Sequence, residues 1–182
     1  MKRIEVEIEG TSPLLMNSPQ AMLEPEKAIK SKRDKYNPKE EAEKVAYRTK
    51  KGKLYVPTTA IKASMLNGAS FKKSGKYSLK QFIAGSTRVI SKEGNGEVIL
   101  EPQKYEIDLR TVVIQRARVV KARPRLDEWK INFIIEFNDS LITPDAIKPS
   151  LEDAGQRIGL LDFRPQKGGE FGTFKINKWK VC

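Results

Sequence analysis

Two stretches of the chain alternate strictly between apolar and polar residues. Over residues 3–9, Ile4, Val6 and Ile8 point one way, while Arg3, Glu5, Glu7 and Glu9 point the other. Over residues 129–137, Trp129, Ile131, Phe133, Ile135 and Phe137 share one side, with Lys130, Asn132 and Glu136 opposite. A period of two with one polar face predicts half-buried strands. A sheet with one apolar face needs a cover, and two segments have helical periodicity. Ala60, Ile61, Ser64, Met65 and Gly68 fall on one helical face behind an N-cap at Thr58 or Thr59. Thr143-Pro144-Asp145 opens a second helix with proline in its first turn. Ile147, Leu151, Ala154 and Ile158 form its buried stripe, and Gly159 ends it.

The intervening segments complete an order of elements. Residues 11–53 form a polar insertion with prolines at 19, 25 and 38, and a short helix within 39–49 carrying Ala42, Val45 and Ala46. Leu54-Tyr55-Val56 reads as a short strand. Residues 71–104 are rich in glycine and lysine, with a hairpin-like Glu93-Gly94-Asn95-Gly96-Glu97 between strand-like flanks. Residues 105–123 form a long strand candidate, and Phe174 and Ile176 mark a last one. The predicted fold class is α+β. It is a ferredoxin-like, RRM-like βαββαβ core over residues 1–182, one domain, with large insertions after the first strand and after the first helix. Such a sheet leaves one face open, which is where RNA-recognition modules bind bases.

Composition excludes several chemistries. The 182 residues contain no histidine, which removes Ser-His-Asp and Cys-His machinery and every histidine metal site. One cysteine, Cys182, rules out an internal disulfide and a thiolate zinc cluster. No metal or cofactor is expected. The apolar runs are far shorter than a membrane helix, and the first residues lack a signal-peptide core, so a cytoplasmic protein is expected.

Charge is both excessive and segregated. The net charge is +12. Between residues 57 and 92 lie Lys62, Lys72, Lys73, Lys76, Lys80, Arg88 and Lys92 without one acid, and between 109 and 126 lie Arg110, Arg116, Arg118, Lys121, Arg123 and Arg125, again without one. These thirteen cations account for the whole excess. Charge held only for solubility is interspersed with both signs, whereas a phosphate track needs it collected. Arginine, which dominates the second stretch, pairs with phosphate through two N–H groups and stacks on bases. On one flat strand, Arg116 and Arg118 would oppose Lys121, Arg123 and Arg125. Either a bulge near Val119-Val120 or an end to the strand there resolves the conflict.

A third signal is the loop Gly159-Leu160-Leu161-Asp162-Phe163-Arg164-Pro165-Gln166-Lys167-Gly168-Gly169-Glu170-Phe171-Gly172. Its amides, with Arg164 and Lys167, would suit a phosphate. It is neither a P-loop nor a Rossmann fingerprint, since no Gly-Lys-Ser/Thr follows and it precedes a strand. Asp162 is expected to bond loop amides or to pair with Arg164. Phe71, Tyr77, Phe82 and Phe163 stand near cations, where an aromatic either stacks on a base or packs.

Three stretches carry a resemblance. They are Gly10-Thr11-Ser12-Pro13-Leu14, Val56-Pro57-Thr58-Thr59-Ala60-Ile61-Lys62 and Gly169-Glu170-Phe171-Gly172-Thr173-Phe174. Together they resemble the RAMP superfamily of CRISPR-associated proteins, most of all the backbone subunits that coat guide RNA. The resemblance implies a modified RNA-recognition fold, in which Thr58, Thr59 and Lys62 approach the RNA backbone and residues 71–104 form the inserted hairpin. It departs from the family's usual Gly-Ser-Ser-like helix start, which is Thr58-Thr59-Ala60 here, and has Asn67 where a basic residue is expected.

The function expected is that of a non-enzymatic binder of single-stranded nucleic acid, RNA before single-stranded DNA, in a CRISPR effector-like ribonucleoprotein or filament of antiviral defence. It would form homo-oligomers along the strand or join other effector subunits. The binding set comprises Thr58, Thr59, Lys62, Lys72, Lys73, Lys76, Arg110, Arg116, Arg118, Lys121, Arg123, Arg125, Arg164, Lys167, Gly168 and Gly169. One alternative is a RAMP-type, metal-dependent endoribonuclease using Asp34, which stands alone among Lys32, Arg33 and Lys35, whereas hydrolytic metal sites gather several carboxylates. The other is a basic protein-interaction module.

Overall fold

The computed structural model describes residues 1–22, 36–114 and 116–182. In chain order the strands are β1 (Lys2–Gly10), β2 (Leu14–Leu15), β3 (Tyr55–Pro57), β4 (Lys73–Ser74), β5 (Tyr77–Ser78), β6 (Thr87–Ile90), β7 (Glu97–Glu101), β8 (Glu106–Ile114), β9 (Ala117–Leu126), β10 (Lys130–Phe137) and β11 (Phe174–Val181). The helices are α1 (Pro38–Lys44), α2 (Thr58–Ala69), α3 (Leu79–Ser86) and α4 (Pro144–Asp153).

The alternating segments lie side by side at the centre. β1 pairs antiparallel with β10 from Lys2↔Phe137 to Glu9↔Lys130, and with β11 on its other edge. The sheet runs β11-β1-β10-β7-β3, with β6 on the same edge of β10 as β7. Ile4, Val6, Ile8, Ile131, Phe133, Ile135 and Phe137 are all buried, as the period of two requires. A shift in register opposite Glu7 and Ile8 leaves Asn177 extra, and past it Trp179 and Val181 take the positions facing Val6 and Ile4. α2, α3 and α4 close the apolar face with Ile61, Met65, Ile83, Ile147 and Leu151, all fully buried. Each such side chain contributes roughly 1.5–3 kcal/mol. Gly68 lets α2 lie directly on α4, because a Cβ there would collide with the Ser150 carbonyl. α4 continues in a π-helical turn, Ala154–Ile158, and stops at Gly159 (φ 75°), as the stripe and glycine predict.

The other face of the sheet carries paired charged and polar side chains, and the phenylalanines turn away from it. Phe133, Phe137 and Phe174 all point into the core. The outer face carries Arg3–Glu136 (2.8 Å), Lys175–Glu9 (3.2 Å) and Lys178–Glu5 (3.9 Å), with Asn177 donating to Glu7. The polar residues of β1 therefore serve the ladder, and the face expected to be open is uncovered and laced with ion pairs.

Residues 105–123 are not one strand. The chain reverses at Arg116, which holds φ 67°, and β8 and β9 pair from Glu106↔Arg125 to Ile114↔Ala117. β9 runs through Val119 and Val120 without a bulge or an end, so Arg118 still lies on the opposite face from Lys121, Arg123 and Arg125. Of the hairpin expected at 71–104, the structure holds a small one, β4–β5, followed by α3. β6 and β7 do not pair with each other across Glu93-Gly94-Asn95-Gly96-Glu97. Both run antiparallel along β10, separated by the loop at 91–96. In the 11–53 stretch lie β2 and α1, with Ala42 and Ala46 buried as expected. α2 starts at Thr58 with Pro57 as its N-cap, and no threonine side chain caps it. The Thr58 amide instead donates to the Gly96 carbonyl (2.9 Å).

Candidate nucleic-acid interface

The β8–β9 hairpin and the glycine-rich loop are fastened to one short piece of chain. Leu14 and Leu15 pair with Leu126 and Arg125 of β9, and the Met16 amide donates to Pro124 O (2.9 Å). On the other side, the Gly172 amide donates to Pro13 O (2.8 Å) and the Asp162 amide to Leu15 O (3.1 Å). Leu14, Leu15 and Met16 are fully buried. This strut was not among the sequence candidates. Its sequence signals are the apolar triplet after Pro13 and the stretch Gly10-Thr11-Ser12-Pro13-Leu14 that carries part of the resemblance.

The fold brings acids from outside the 109–126 stretch to half of its cations. Arg123 is buried and pairs with Asp162 across to the loop. Asp162 thus takes Arg123 as its partner and not Arg164. Arg110 Nε donates to Asp108 Oδ2 (2.7 Å), and Arg125 Nε donates to Asp127 Oδ1 (2.6 Å). Among the described residues, Arg116, Arg118 and Lys121 have no carboxylate partner. Arg116 and Arg118 are exposed, and Lys121 is half-buried.

Of the 57–92 stretch, Thr58 and Thr59 open α2 beside a cleft of about 370 Å³ that also touches Arg88. Lys62 turns inward. Its ammonium donates to Ile83 O (2.8 Å) and Thr87 O (2.7 Å) at the end of α3, where Ile83 O also accepts from the Thr87 amide. Burial holds its pKa down at about 8. The Lys62 ammonium is thereby engaged by the scaffold, while its side chain also lines the cleft beside Thr58 and Thr59. Lys72 pairs with Asp153 (3.1 Å). Lys73 and Lys76 are exposed on and beside β4–β5. α2 packs on α3, α4 and β6, and it meets the glycine-rich loop where the Ser64 hydroxyl donates to the Gly159 carbonyl (2.8 Å).

That loop is a closed structure. The Lys167 and Gly169 amides donate to Arg164 O, Gly168 to Pro165 O, and Phe171 to Phe163 O. The expected cradle of free amides is therefore corrected, since folding has used these donors internally. Arg164 donates to Leu161 O (2.8 Å) and to Gln166, and it lines a cleft of about 270 Å³ between the loop and α2, opposite Ala60, Ala63 and Ser64. Lys167 and Gly168 are exposed at the tip. Leu161 (φ 57°) and Phe163 (φ 48°) are left-handed without being glycine, a conformation that persists only where surroundings enforce it.

Asp34 lies outside the described residues. Among those described, no group of three acids or cysteines is placed to hold a metal ion. Among the described residues, no helix is long and apolar enough to cross a membrane.

No protein-family model matches the sequence, and no curated protein does. The fold does have a solved counterpart. A chain in the cryo-EM structure of the Type III-B Cmr-beta bound to cognate target RNA matches with a TM-score of 0.59 and 15% identity, over 99% of this chain and 60% of that one. This chain thus spans about 60% of the length of its counterpart. At that identity the likeness is one of fold: a mixed α+β fold with antiparallel sheets, shared with that Cmr-beta chain.

Proposed function

We propose that this chain is a non-enzymatic, single-stranded RNA-binding subunit of a CRISPR effector-like ribonucleoprotein, of the backbone type, in which copies or other subunits assemble along the strand. The observation that carries this reading is the far half of the β8–β9 hairpin, where Arg116, Arg118 and Lys121 have no carboxylate partner among the described residues while every other cation of that stretch is paired. The fold is supporting: it matches a chain from a complex bound to target RNA. In the βαββαβ reading, β1, α2, β6 with β7, β10, α4 and β11 are the core, the β8–β9 hairpin is the projecting insertion, and residues 1–182 are one domain. The strand order β11-β1-β10-β7 favours it. RNA would run from the hairpin across the glycine-rich loop toward the opening of α2, touching Arg110, Arg125, Arg164, Lys167, Thr58 and Thr59. Arg123 and Lys62 act as positioning residues in this reading.

Salt titration tests it. Log affinity for a 30-nucleotide RNA should fall linearly with log salt, with a slope of roughly −0.7 per phosphate contacted. Replacing Arg116, Arg118 and Lys121 together with alanine should flatten that slope by ~2 and weaken all sequences alike. A slope near zero in the unaltered protein would reject the phosphate track.

A further inference from the structure

Two clefts share a wall at the junction of hairpin and loop. One, of about 610 Å³, runs beside β8 past Asp108, Leu109, Thr111 and Val112; the other, of about 470 Å³, lies against Ser12, Pro13, Gly168, Gly169 and Glu170. Both are lined by Arg110 and Phe163. The Phe163 ring is 40% exposed, whereas Phe171 behind it, 6.0 Å away centre to centre, is buried. The Arg110 guanidinium sits 4.8 Å from the Phe171 ring centre and 5.9 Å from that of Phe163, held in direction by Asp108.

Several features fix Phe163 in this pose. Its φ of 48° is unfavourable for an aromatic residue. The Phe171 amide grips its carbonyl (3.1 Å). Gly169 passes so close that a Cβ there would collide with that carbonyl and the ring. The loop thus spends backbone strain and a glycine on holding a large apolar ring in solvent, against its own burial tendency. Each cleft holds two guanidinium groups against one carboxylate: Arg110 and Arg123 with Asp108 in one, Arg110 and Arg125 with Glu170 in the other. All three arginines are already paired with acids. Such a mixed lining suits a nucleotide whose uncharged planar ring lies on the apolar wall.

The geometry points to Phe163, with Arg110, as a stacking wall that receives nucleobases of single-stranded RNA in the clefts on its two sides. This inference rests on the RNA-binding reading above and assigns it a base-contacting residue. Stacking of this kind is tolerant of sequence because every base offers a π-face, and an arginine alongside adds a cation–π contribution.

The test uses the 182-residue chain with single-stranded RNAs in which 2-aminopurine replaces one base at successive positions. On binding, fluorescence at one or two positions should be quenched more deeply than elsewhere. Phe163→Ala should abolish that site-specific quenching and weaken affinity about 5- to 150-fold. Phe163→Trp should restore both. Phe163→Leu, which keeps apolar bulk for the loop but has no ring face, should bind and quench like the alanine variant. If the unaltered protein binds RNA with the expected salt slope but Phe163→Ala and Phe163→Leu bind and quench equally well, the stacking wall is wrong while the phosphate track stands. If the unaltered protein binds no RNA, both readings fall.

Discussion

Lys62 and Arg123 are the most inward-turned cations of the two basic stretches, and they are held in different ways. Lys62 is surrounded by neutral acceptors at the end of α3, so burial weakens its hold on its proton. Arg123 is buried against a carboxylate, Asp162, and this ties β9 to the glycine-rich loop. A lysine is a compact charge that can donate to several carbonyls, whereas the guanidinium fork matches a carboxylate and stays charged. The contrast teaches that neither residue is surface charge awaiting a ligand. One secures a helix end, and the other fixes the distance between two parts of the proposed interface.

The largest effect should come from breaking the Arg123–Asp162 tie. Arg123→Ala leaves a carboxylate short of its partner, and urea unfolding should show a loss of about 3 kcal/mol. RNA binding measured well below the midpoint should then weaken through misplacement of hairpin and loop, with no change in salt slope. A stable variant with a flatter slope would mean that Arg123 contacts phosphate, and the contrast drawn here would fail. Lys62→Met should cost less, about 1–2 kcal/mol, because, of the two carbonyls it leaves behind, Ile83 O still accepts from the Thr87 amide. The smallest effect sharpens the comparison through pH. Lys62 releases its proton near pH 8 in the folded chain, against about 10.5 in the unfolded one. Between those values the unfolded state binds more protons, so this lysine makes stability rise with pH. The unaltered chain should therefore gain stability over pH 8 to 10 relative to Lys62→Met, by urea unfolding at each pH. An unchanged gap would place the ammonium in ordinary solvent contact.

The central sheet was legible because local periodicity and burial agree in β1 and β10, and because Pro144 and Gly159 mark both ends of one helical segment. The reversal at Arg116 was not, since an arginine at positive φ carries no turn signature of the kind glycine gives. The charge pattern was half legible. Counting found two acid-free stretches, but Asp108 and Asp127 sit just outside the second, and Asp162 returns to it only through the fold. A window along the chain cannot see a carboxylate delivered by another element. The same limit hid the fate of the loop amides, whose acceptors are set by the loop's own closed shape, and it left Phe163 undecided between stacking and packing.

The four residues Pro13–Met16, with β9 on one flank and the loop on the other, have a thermodynamic consequence. Hairpin and loop can separate only by disrupting a strand ladder and at least two backbone hydrogen bonds to this shared splint. Their relative pose is settled when the chain folds, so an arriving strand meets a preorganised surface and the entropy of arranging it is not charged against affinity.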